Sequence, residues 1–306
     1  MGNCSATVSL CRRTASGRSE LRVALATCAA VPEGDDEAPA LTDALAGRAA
    51  DARPAVWDDQ SVDWAAFDLV VVRSTWDYPD RREQFLAWAE SLPYVLNSPE
   101  VLRWNTDKRY LEALDADAVP STFLPPDAAF EPPAGQFVVK PSVGAGSIGA
   151  ARYGPGDERA RVHVADLHAA GKTVLVQPYL AAVDTAGETS LIYLGGTYSH
   201  AVRKEPLLEH GSEPGSGLYL EETITSTEPT AVELEVAERA LAAVPFARDG
   251  LLYARIDLIG ADDGRPLVLE VELTEPSLFI GYADGAAERF AAAIVDMAGC
   301  QAPGHV

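Results

Sequence analysis

The side chains best suited to chemistry lie within residues 251–273, where charged and apolar residues alternate. An Asp-Gly pair in this stretch is a strong signal for a tight hairpin turn. Such a turn places Asp257 opposite Glu270 and Arg255 opposite Glu272. Because alternate side chains of a strand share a face, all four are predicted on one face. The other face is predicted to be core: Ala254, Ile256, Leu258, Leu269, Val271 and Leu273.

The carboxylates of Asp257, Glu270 and Glu272 would repel one another on that face and raise one another's pKa values. A divalent cation relieves the repulsion, and oxygen ligands without Cys or His nearby favour Mg²⁺ or Mn²⁺. We therefore predict a metal site at these three residues. A solvated face, partly neutralised by Arg255, is the alternative interpretation.

A second group of candidates suits the binding of phosphate. The stretch FVVKPSVGAGSIGA (137–150) predicts a strand that ends in Lys140 and continues into a loop of small residues. Lys108 falls in the first turn of a helix predicted to begin near residue 105, where a cation opposes the helix dipole unless an anion binds there too. A phosphate clamp explains both lysines, and two ordinary exposed lysines are the alternative. The candidate loop contacts are Ser142, Gly146 and Ser147.

Phosphate-binding lysines, a small-residue loop and a carboxylate-held metal together suit phosphoryl transfer from ATP. The loop is not a P-loop, because no Gly-Lys-Ser/Thr follows it, and the HRD and DFG motifs of protein kinases are missing from the sequence. The order of the motifs resembles the ATP-grasp superfamily over about residues 100–295. The motifs are Lys108, Lys140 with its loop, VQPYL (176–180), Arg255-x-Asp257 and Glu270-x-Glu272.

This resemblance implies an α/β (α+β) ATP-grasp fold, in which a parallel N-terminal α/β domain precedes two α+β subdomains that clasp ATP. The chain departs from the superfamily's usual Glu-x-Asn metal motif, because Glu272 replaces the asparagine. The nucleotide contacts that the resemblance implies are Lys108 and Lys140 at the phosphates, Gln177, Tyr179 and Leu180 at the adenine, and Asp184 or Glu188 at the ribose.

Two stretches, RSTWDYPDR (73–81) and NSPEVLRWNTDKRYL (97–111), are similar to a bacterial subgroup related to the cyclo-ligase of cycloserine biosynthesis, which closes O-ureidoserine on itself. The resemblance implies an ADP-forming ligase that uses ATP and Mg²⁺ or Mn²⁺ to activate a small-molecule carboxylate as an acyl phosphate. A nitrogen nucleophile then displaces phosphate, either within the same molecule or from a second substrate. A phosphotransferase and a non-catalytic nucleotide-binding module are the alternatives from other classes.

Side chains for the carboxylate substrate are expected at the carboxyl end of a parallel strand and beyond the predicted metal strand. A plain turn after the first of these strands is the alternative. The candidate catalytic residues are Arg255, Arg203 and Lys204. The candidate substrate residues are Arg73, Ser74, Thr75, Asp77, Tyr78, Glu275 and Ser277.

The elements that must position these groups follow from hydrophobic pattern and turn chemistry. Apolar runs at 21–29 and 67–73 predict buried parallel strands, and Ala-rich stretches at 230–244 and 284–298 predict helices. Residues 173–180 are predicted as an edge strand or a linker rather than a central strand, because Pro178 lacks an N–H.

A glycine pair at 195–196 predicts a hairpin over residues 188–204. The turn would place Glu188 opposite Arg203, where a plain cross-strand ion pair is the alternative to a functional contact. The glycine-rich loop 207–219 is a candidate lid. The predicted divisions of the chain are a disordered leader (1–20), the N-terminal domain (21–104), and the small (105–180) and large (181–306) ATP-grasp subdomains.

The composition excludes several classes of protein. The chain has 306 residues and a net charge of −22, which disfavours nucleic acid and anionic membranes as partners. Its four cysteines, Cys4, Cys11, Cys28 and Cys300, form no zinc motif and predict free thiols in a reducing, cytoplasmic location. No apolar run is long enough to span a membrane. The sequence leaves the oligomeric state open, with a homodimer as one expectation.

Overall fold

The first sheet is parallel, as the unbroken apolar runs predict. In this computed structural model, which describes residues 20–208, 214–220 and 222–300, it lies at the N-terminal end of the chain. Its strands are β1 (Leu21–Thr27), β2 (Ala50–Val56), β3 (Leu69–Ser74) and β4 (Val95–Leu96), in the order β2-β1-β3-β4. The helices of this region are α1 (Ala38–Ala46), α2 (Arg82–Ser91) and α3 (Pro99–Asn105), with 3-10 turns at Trp64–Ala66, Tyr78–Asp80 and Lys108–Asp117.

The second sheet is antiparallel and carries Lys140 at the end of a strand. It contains β5 (Thr122–Leu124), β6 (Phe137–Pro141), β7 (Ala151–Tyr153) and β8 (Val174–Pro178), in the order β5-β8-β6-β7, with helix α4 (Arg159–Ala169) between β7 and β8. The predicted edge position of residues 173–180 is therefore wrong, because β8 pairs on both sides. Pro178 is tolerated because the pairing with β5 ends at Val176, so Pro178 has a neighbouring strand on one side only.

The third sheet is also antiparallel and is the largest. Its strands are β9 (Glu188–Leu194), β10 (Thr197–Lys204), β11 (Ile224–Thr227), β12 (Tyr253–Gly260) and β13 (Pro266–Glu272), in the order β11-β10-β9-β12-β13. Its helices are α5 (Val183–Ala186), α6 (Ala231–Ala243) and α7 (Ala286–Cys300), with 3-10 turns at Arg248–Gly250 and Ile280–Tyr282. Both Ala-rich helices are confirmed.

The β9–β10 hairpin differs from its predicted register by one residue. Tyr198 pairs with Tyr193 as the turn requires, but a bulge before His200 shifts every later pair. Glu188 therefore stands opposite Lys204, and its predicted pairing with Arg203 is wrong. An extra residue in one strand reverses the face of everything beyond it.

The β12–β13 hairpin keeps the predicted pairs by a different route. Asp257 faces Glu270 and Arg255 faces Glu272, which confirms both predictions. Nearer the turn the register differs by one residue, because a bulge at Leu269 compensates for a longer turn. Leu269 is therefore half-buried and lines a cavity, so its predicted place in the core is wrong.

The first and third sheets share one core. Leu25 and Val71 of the first sheet cluster with Ile192 of the third and with Phe290 of α7. Buried amides join the sheets as well: the Asn97 side chain donates to Tyr253 O at 3.0 Å and Leu273 O at 2.7 Å, and Asn105 donates to Val271 O at 2.7 Å. The predicted domain limits stay predictions.

Several sequence predictions lie at or beyond the limits of the described ranges. Nearly all of the predicted leader, Cys4, Cys11 and part of the predicted lid fall outside them. Within them, no helix is long and apolar enough to cross a membrane. Cys28 is a buried free thiol.

Candidate active site

A cavity of about 570 Å³ is lined by residues of the second and third sheets and by loop and helix residues of the first sheet region. One end is lined by apolar side chains, among them Val138, Leu180, Ile259 and Leu269. The other end carries a dense set of charges. This polarity suits a ligand with an apolar ring at one end and anionic groups at the other.

The charged end is built on the predicted face of the β12–β13 hairpin. The Arg255 guanidinium donates to Asp257 Oδ1 at 2.8 Å and to Glu272 Oε1 at 2.5 Å. The Lys204 ammonium lies 3.2 Å from Asp257 and 3.1 Å from Glu188. The bulge in β10 is what turns Lys204, rather than Arg203, toward this cluster.

Both predicted phosphate lysines reach the same hairpin from the other side. Lys140 Nζ donates to Glu270 Oε1 at 2.7 Å, and Lys108 Nζ lies 3.7 Å from Glu270 Oε2. Lys108 also donates to Gly144 O at 2.8 Å. Lys108 and Lys140 thus meet at one carboxylate, which gives an incoming phosphate two cations.

The pKa values of these carboxylates diverge because their neighbours differ. Burial raises the pKa of Glu270, but the Lys108 and Lys140 charges outweigh it and lower the pKa to about 2. Burial likewise opposes ionisation of Asp257, and Arg255 and Lys204 lower its pKa. Burial and the charges of Asp257 and Glu270 raise the pKa of Glu272 to about 7. Burial and the Glu272 charge raise the pKa of Glu275 to about 8.

The donor set at this end fits a hard divalent cation. Its oxygen ligands are those that Mg²⁺ or Mn²⁺ prefers, and the raised pKa of Glu272 marks negative charge that a cation would relieve. Over the described ranges, no three His, Cys, Asp or Glu side chains converge as a formed metal cluster. Asp257, Glu270 and Glu272 instead contact cations of the chain, so the metal site stays a prediction.

One wall of the cavity is made by two segments, which we call the paired loops (residues 142–149 and 214–220). Main-chain hydrogen bonds join them: Gly149 N donates to Gly215 O at 2.9 Å, and Leu220 N donates to Gly146 O at 3.1 Å. Gly146 has a φ of +57°, and a Cβ there would lie 2.6 Å from Tyr219 Cβ. The Tyr219 ring contacts Trp76, with 5.0 Å between ring centroids. Gly146 and Ser147 line the cavity, whereas the buried Ser142 does not.

A second part of the cavity wall is the clamped segment (residues 274–278), whose five consecutive main-chain carbonyls all accept hydrogen bonds from side chains. The donors come from distant parts of the chain. They are Tyr253 Oη to Thr274 O (2.8 Å), Trp76 Nε1 to Glu275 O (3.2 Å), Arg73 Nη1 to Pro276 O (3.0 Å), Arg255 Nη1 to Ser277 O (3.0 Å) and His200 Nε2 to Leu278 O (2.9 Å). Glu275 and Ser277 line the cavity, as does Tyr78 beside them.

Several predicted substrate residues have other contacts and do not line this cavity. Arg73 is buried against Glu37 and Asp35, at 2.6 and 3.4 Å. Ser74 Oγ bonds to Thr27 Oγ1 at 2.9 Å, and Thr75 is fully buried. The Asp77 carboxylate accepts from Trp57 Nε1 at 2.8 Å. The polar residues after β3 therefore mainly connect elements of the fold. Residue types alone do not distinguish such structural contacts from contacts with a ligand.

Two further predicted contacts also point elsewhere. Arg203 donates to Ala186 O at 2.9 Å, outside the cavity lining, because of the β10 bulge. Asp184 pairs with Arg152 and with the Tyr179 hydroxyl and does not line the cavity, so Glu188, which does, is the better placed ribose candidate. Gln177, Tyr179 and Leu180 all line the cavity, and their contact with adenine stays a prediction.

Glu37 and Tyr219 are cavity residues that the sequence did not single out. Glu37 lies in the acidic stretch after β1, at the carboxyl end of a parallel strand, so the rule applied to β3 would have found it. Tyr219 lies in the predicted lid, where no periodicity marks one residue over another.

The chain is similar to known proteins over most of its length. A family model described as the N-terminal domain of D-cycloserine synthetase DcsG matches residues 23–97. The cycloserine biosynthesis protein DcsG of Streptomyces lavendulae is 35% identical over 299 residues, which are 90% of this chain and 98% of that protein.

Solved structures show the same similarity in three dimensions. The crystal structure of D-cycloserine synthetase DcsG matches with a TM-score of 0.80 and 35% identity, over 90% of this chain and 99% of that one. A RimK domain ATP-grasp protein from Sphaerobacter thermophilus matches with a TM-score of 0.62 and 18% identity, over 90% and 99%. The second match shows a shared fold only.

Proposed function

Because the chain belongs to the D-cycloserine synthetase family of ATP-grasp ligases, we propose that it closes a ring within one O-substituted serine, such as O-ureidoserine. It is an ATP-dependent, ADP-forming carbon–nitrogen ligase. The proposal adds the substrate, the acyl-phosphate intermediate and the residues that act on each.

The observation that carries the proposal is the convergence of four cations at one end of a two-ended cavity. Lys108 and Lys140 meet at Glu270, while Lys204 and Arg255 meet at Asp257. The two pairs flank one strip of the β12–β13 hairpin. We assign the lysine pair at Glu270 to the phosphates of ATP, and Arg255 with Lys204 to the carboxylate that is activated.

In the proposed reaction, a carboxylate oxygen of the substrate attacks the γ-phosphorus, and the bond to the β-γ bridging oxygen breaks to release ADP. The substrate's own nitrogen then attacks the acyl carbon, and the carbon–oxygen bond to phosphate breaks. The nitrogen loses its proton as the ring closes. In the first step negative charge develops on the departing oxygen of ADP, where Lys108 and Lys140 stabilise it. In the second step it develops on the acyl oxygen, where Arg255 and Lys204 stabilise it.

The predicted metal ligands are Asp257, Glu270 and Glu272, and Mg²⁺ bound there supplies charge neutralisation for the phosphate oxygens. We assign the exclusion of water from the acyl phosphate to the paired loops, because Gly146 and Tyr219 line the cavity and the Tyr219 ring packs on Trp76. The apolar end holds the adenine through Leu180 and its neighbours.

The test is ADP release with Mg-ATP over a panel of amino acids and O-substituted serines, each with and without a separate amine. Turnover of one compound without added amine, with loss of its free carboxylate, supports ring closure. Turnover only with acid and amine together rejects it in favour of a two-substrate ligase. A phosphorylated product that accumulates without amine identifies a phosphotransferase.

A further inference from the structure

The clamped segment satisfies its carbonyls in an unusual way. Most buried main-chain groups bond to other main-chain groups in helices, sheets and turns. Here the carbonyls of residues 274–278 bond to side chains of the first sheet region, β10 and β12. The position of this wall therefore depends on side chains that lie far away in the sequence.

Arg73 is central to this arrangement. Its guanidinium donates to Pro276 O and to Glu37 Oε2, and it is 3% exposed. The Glu37 carboxylate in turn accepts from the main-chain N–H groups of Leu278 and Ile280, at 3.2 and 3.3 Å. One buried ion pair thus holds both a carbonyl and two amides of the same stretch.

A buried ion pair is a poor way to gain stability, because desolvation of both charges offsets their attraction. Apolar side chains of similar volume would pack this joint as well. An arginine and a glutamate add directional hydrogen bonds, since each fixes main-chain groups at defined distances. We read the Arg73–Glu37 pair as a device that sets geometry.

The main-chain groups that this ion pair holds lie at the charged end of the cavity. The clamped segment carries Glu275 and Ser277 into the cavity, and Arg255 spans Ser277 O, Asp257 and Glu272. A displacement of the segment therefore moves the Arg255 guanidinium.

We propose that Arg73, through Pro276 and Glu37, is a positioning residue that fixes the clamped segment and thereby orients Arg255 toward the substrate carboxylate. His200 performs the same role at Leu278 O, where its Nε2 must carry the proton because a carbonyl only accepts. The proposal rests on the proposed function only in taking the charged end as the acid-binding end.

The test is Arg73→Gln, with Arg22→Gln as its matched control. Arg22 also lies on a strand of the first sheet and pairs with a carboxylate, Asp68, but neither residue lines the cavity. For Arg73→Gln we expect kcat/KM for the acid to fall about tenfold or more, the loss expected for one hydrogen bond from a charged donor. KM for Mg-ATP should stay within about twofold, and Arg22→Gln should change neither.

A second pair of variants keeps the test decisive if Arg73→Gln fails to fold. His200→Gln retains an N–H donor that can reach Leu278 O, whereas His200→Phe removes it. We expect kcat/KM for the acid to fall in His200→Phe and to be largely restored in His200→Gln. His163→Phe, which removes another buried histidine bonded to Tyr153 at 3.0 Å, is the control for lost stability.

Hydrogen exchange separates failure of this inference from failure of the proposed function. The amides of Leu278 and Ile280 should exchange faster in Arg73→Gln than in the native protein, whatever acid the enzyme uses. Unchanged exchange at both amides overturns the inference. An equal rise of KM for ATP and for the acid also overturns it, because a loss of general structure would affect both ends.

Discussion

The two walls of the cavity are held in opposite ways. The clamped segment is fixed by side chains from the first sheet region, β10 and β12, whereas main-chain hydrogen bonds join the paired loops to each other and one aromatic contact joins Tyr219 to Trp76. Trp76 touches both walls, since its Nε1 bonds to Glu275 O and its ring meets Tyr219. The chemistry of an acyl phosphate needs one wall to hold still and the other to exclude water, and the construction of each wall suits that division.

The largest effect should come from the strand that leads into the clamped segment. Glu270→Gln removes the carboxylate that Lys108 and Lys140 share and one predicted metal ligand. We expect ADP release to fall about 100-fold or more, measured as kcat with Mg-ATP. Asp263→Asn, at the exposed tip of the same hairpin, is the control. Retained Mg²⁺-dependent turnover in Glu270→Gln would show that the metal assignment is wrong.

The next effect is a pH dependence of stability at Glu275. Its pKa is about 8 in the folded chain against an ordinary value of 4.5, so unfolding releases a proton between pH 4.5 and 8. This stabilisation is complete below pH 4.5 and is lost as the pH rises to 8. Glu275→Gln should remove about 1–3 kcal/mol of the difference in unfolding free energy between pH 5 and 8.5.

Urea unfolding at the two pH values measures this difference. Glu235→Gln, an exposed carboxylate on α6, should leave the native pH dependence in place. If Glu275→Gln behaves like Glu235→Gln, Glu275 is not the buried acid that the clamped segment holds.

The paired loops should respond to backbone contact more than to charge. Gly146→Ala adds a Cβ that would lie 2.6 Å from Tyr219 Cβ, so the loops must move apart. We expect about a tenfold rise in KM for Mg-ATP with little change in kcat/KM for the acid. Gly156→Ala is the matched control, because it has a φ of +73° and no heavy atom within 4 Å of the added Cβ. Equal effects of the two substitutions would mean that only strain was measured.

The smallest effect should be the loss of the aromatic contact itself. Tyr219→Leu keeps an apolar side chain at the loops but removes the ring that meets Trp76. An aromatic pair contributes about 0.5–1.5 kcal/mol beyond its buried area, so hydrolysis of ATP without product formation should rise a few-fold. The ratio of ADP to ligated product measures this leak. An unchanged ratio would show that the contact between Tyr219 and Trp76 does not contribute to the exclusion of water.

Local pattern predicted the parts of the site that one hairpin contains. Strand alternation and an Asp-Gly turn are local signals, and they predicted that one face carries Asp257, Glu270 and Glu272. The position of Lys140 near the end of its strand was predicted in the same way. The prediction at Asp257 was right although the turn was longer than assumed, since the bulge at Leu269 restored the register. In β10 no second shift compensated, and Arg203 was placed on the wrong face.

The joint around the clamped segment could not be predicted in this way. Arg73 looked like a ligand contact because it follows an apolar strand, and nothing nearby in sequence shows that Glu37 and Pro276 occupy its guanidinium. The two contacts span 203 and 36 positions of the sequence, and periodicity and turn chemistry carry no information over such separations.

The bulge before His200 also governs how relatives of this chain should be compared. The same sequence without the bulge would turn Arg203 toward the cavity and Lys204 away, because every later pair would shift by one residue. A relative that lacks both the extra residue and the bulge would still place the equivalent of Lys204 opposite Glu188. An alignment that puts the corresponding gap beyond β10 would equate the proposed catalytic cation with a surface one. The cross-strand pairing with Glu188, rather than a count of residues from the turn, therefore identifies the equivalent of Lys204.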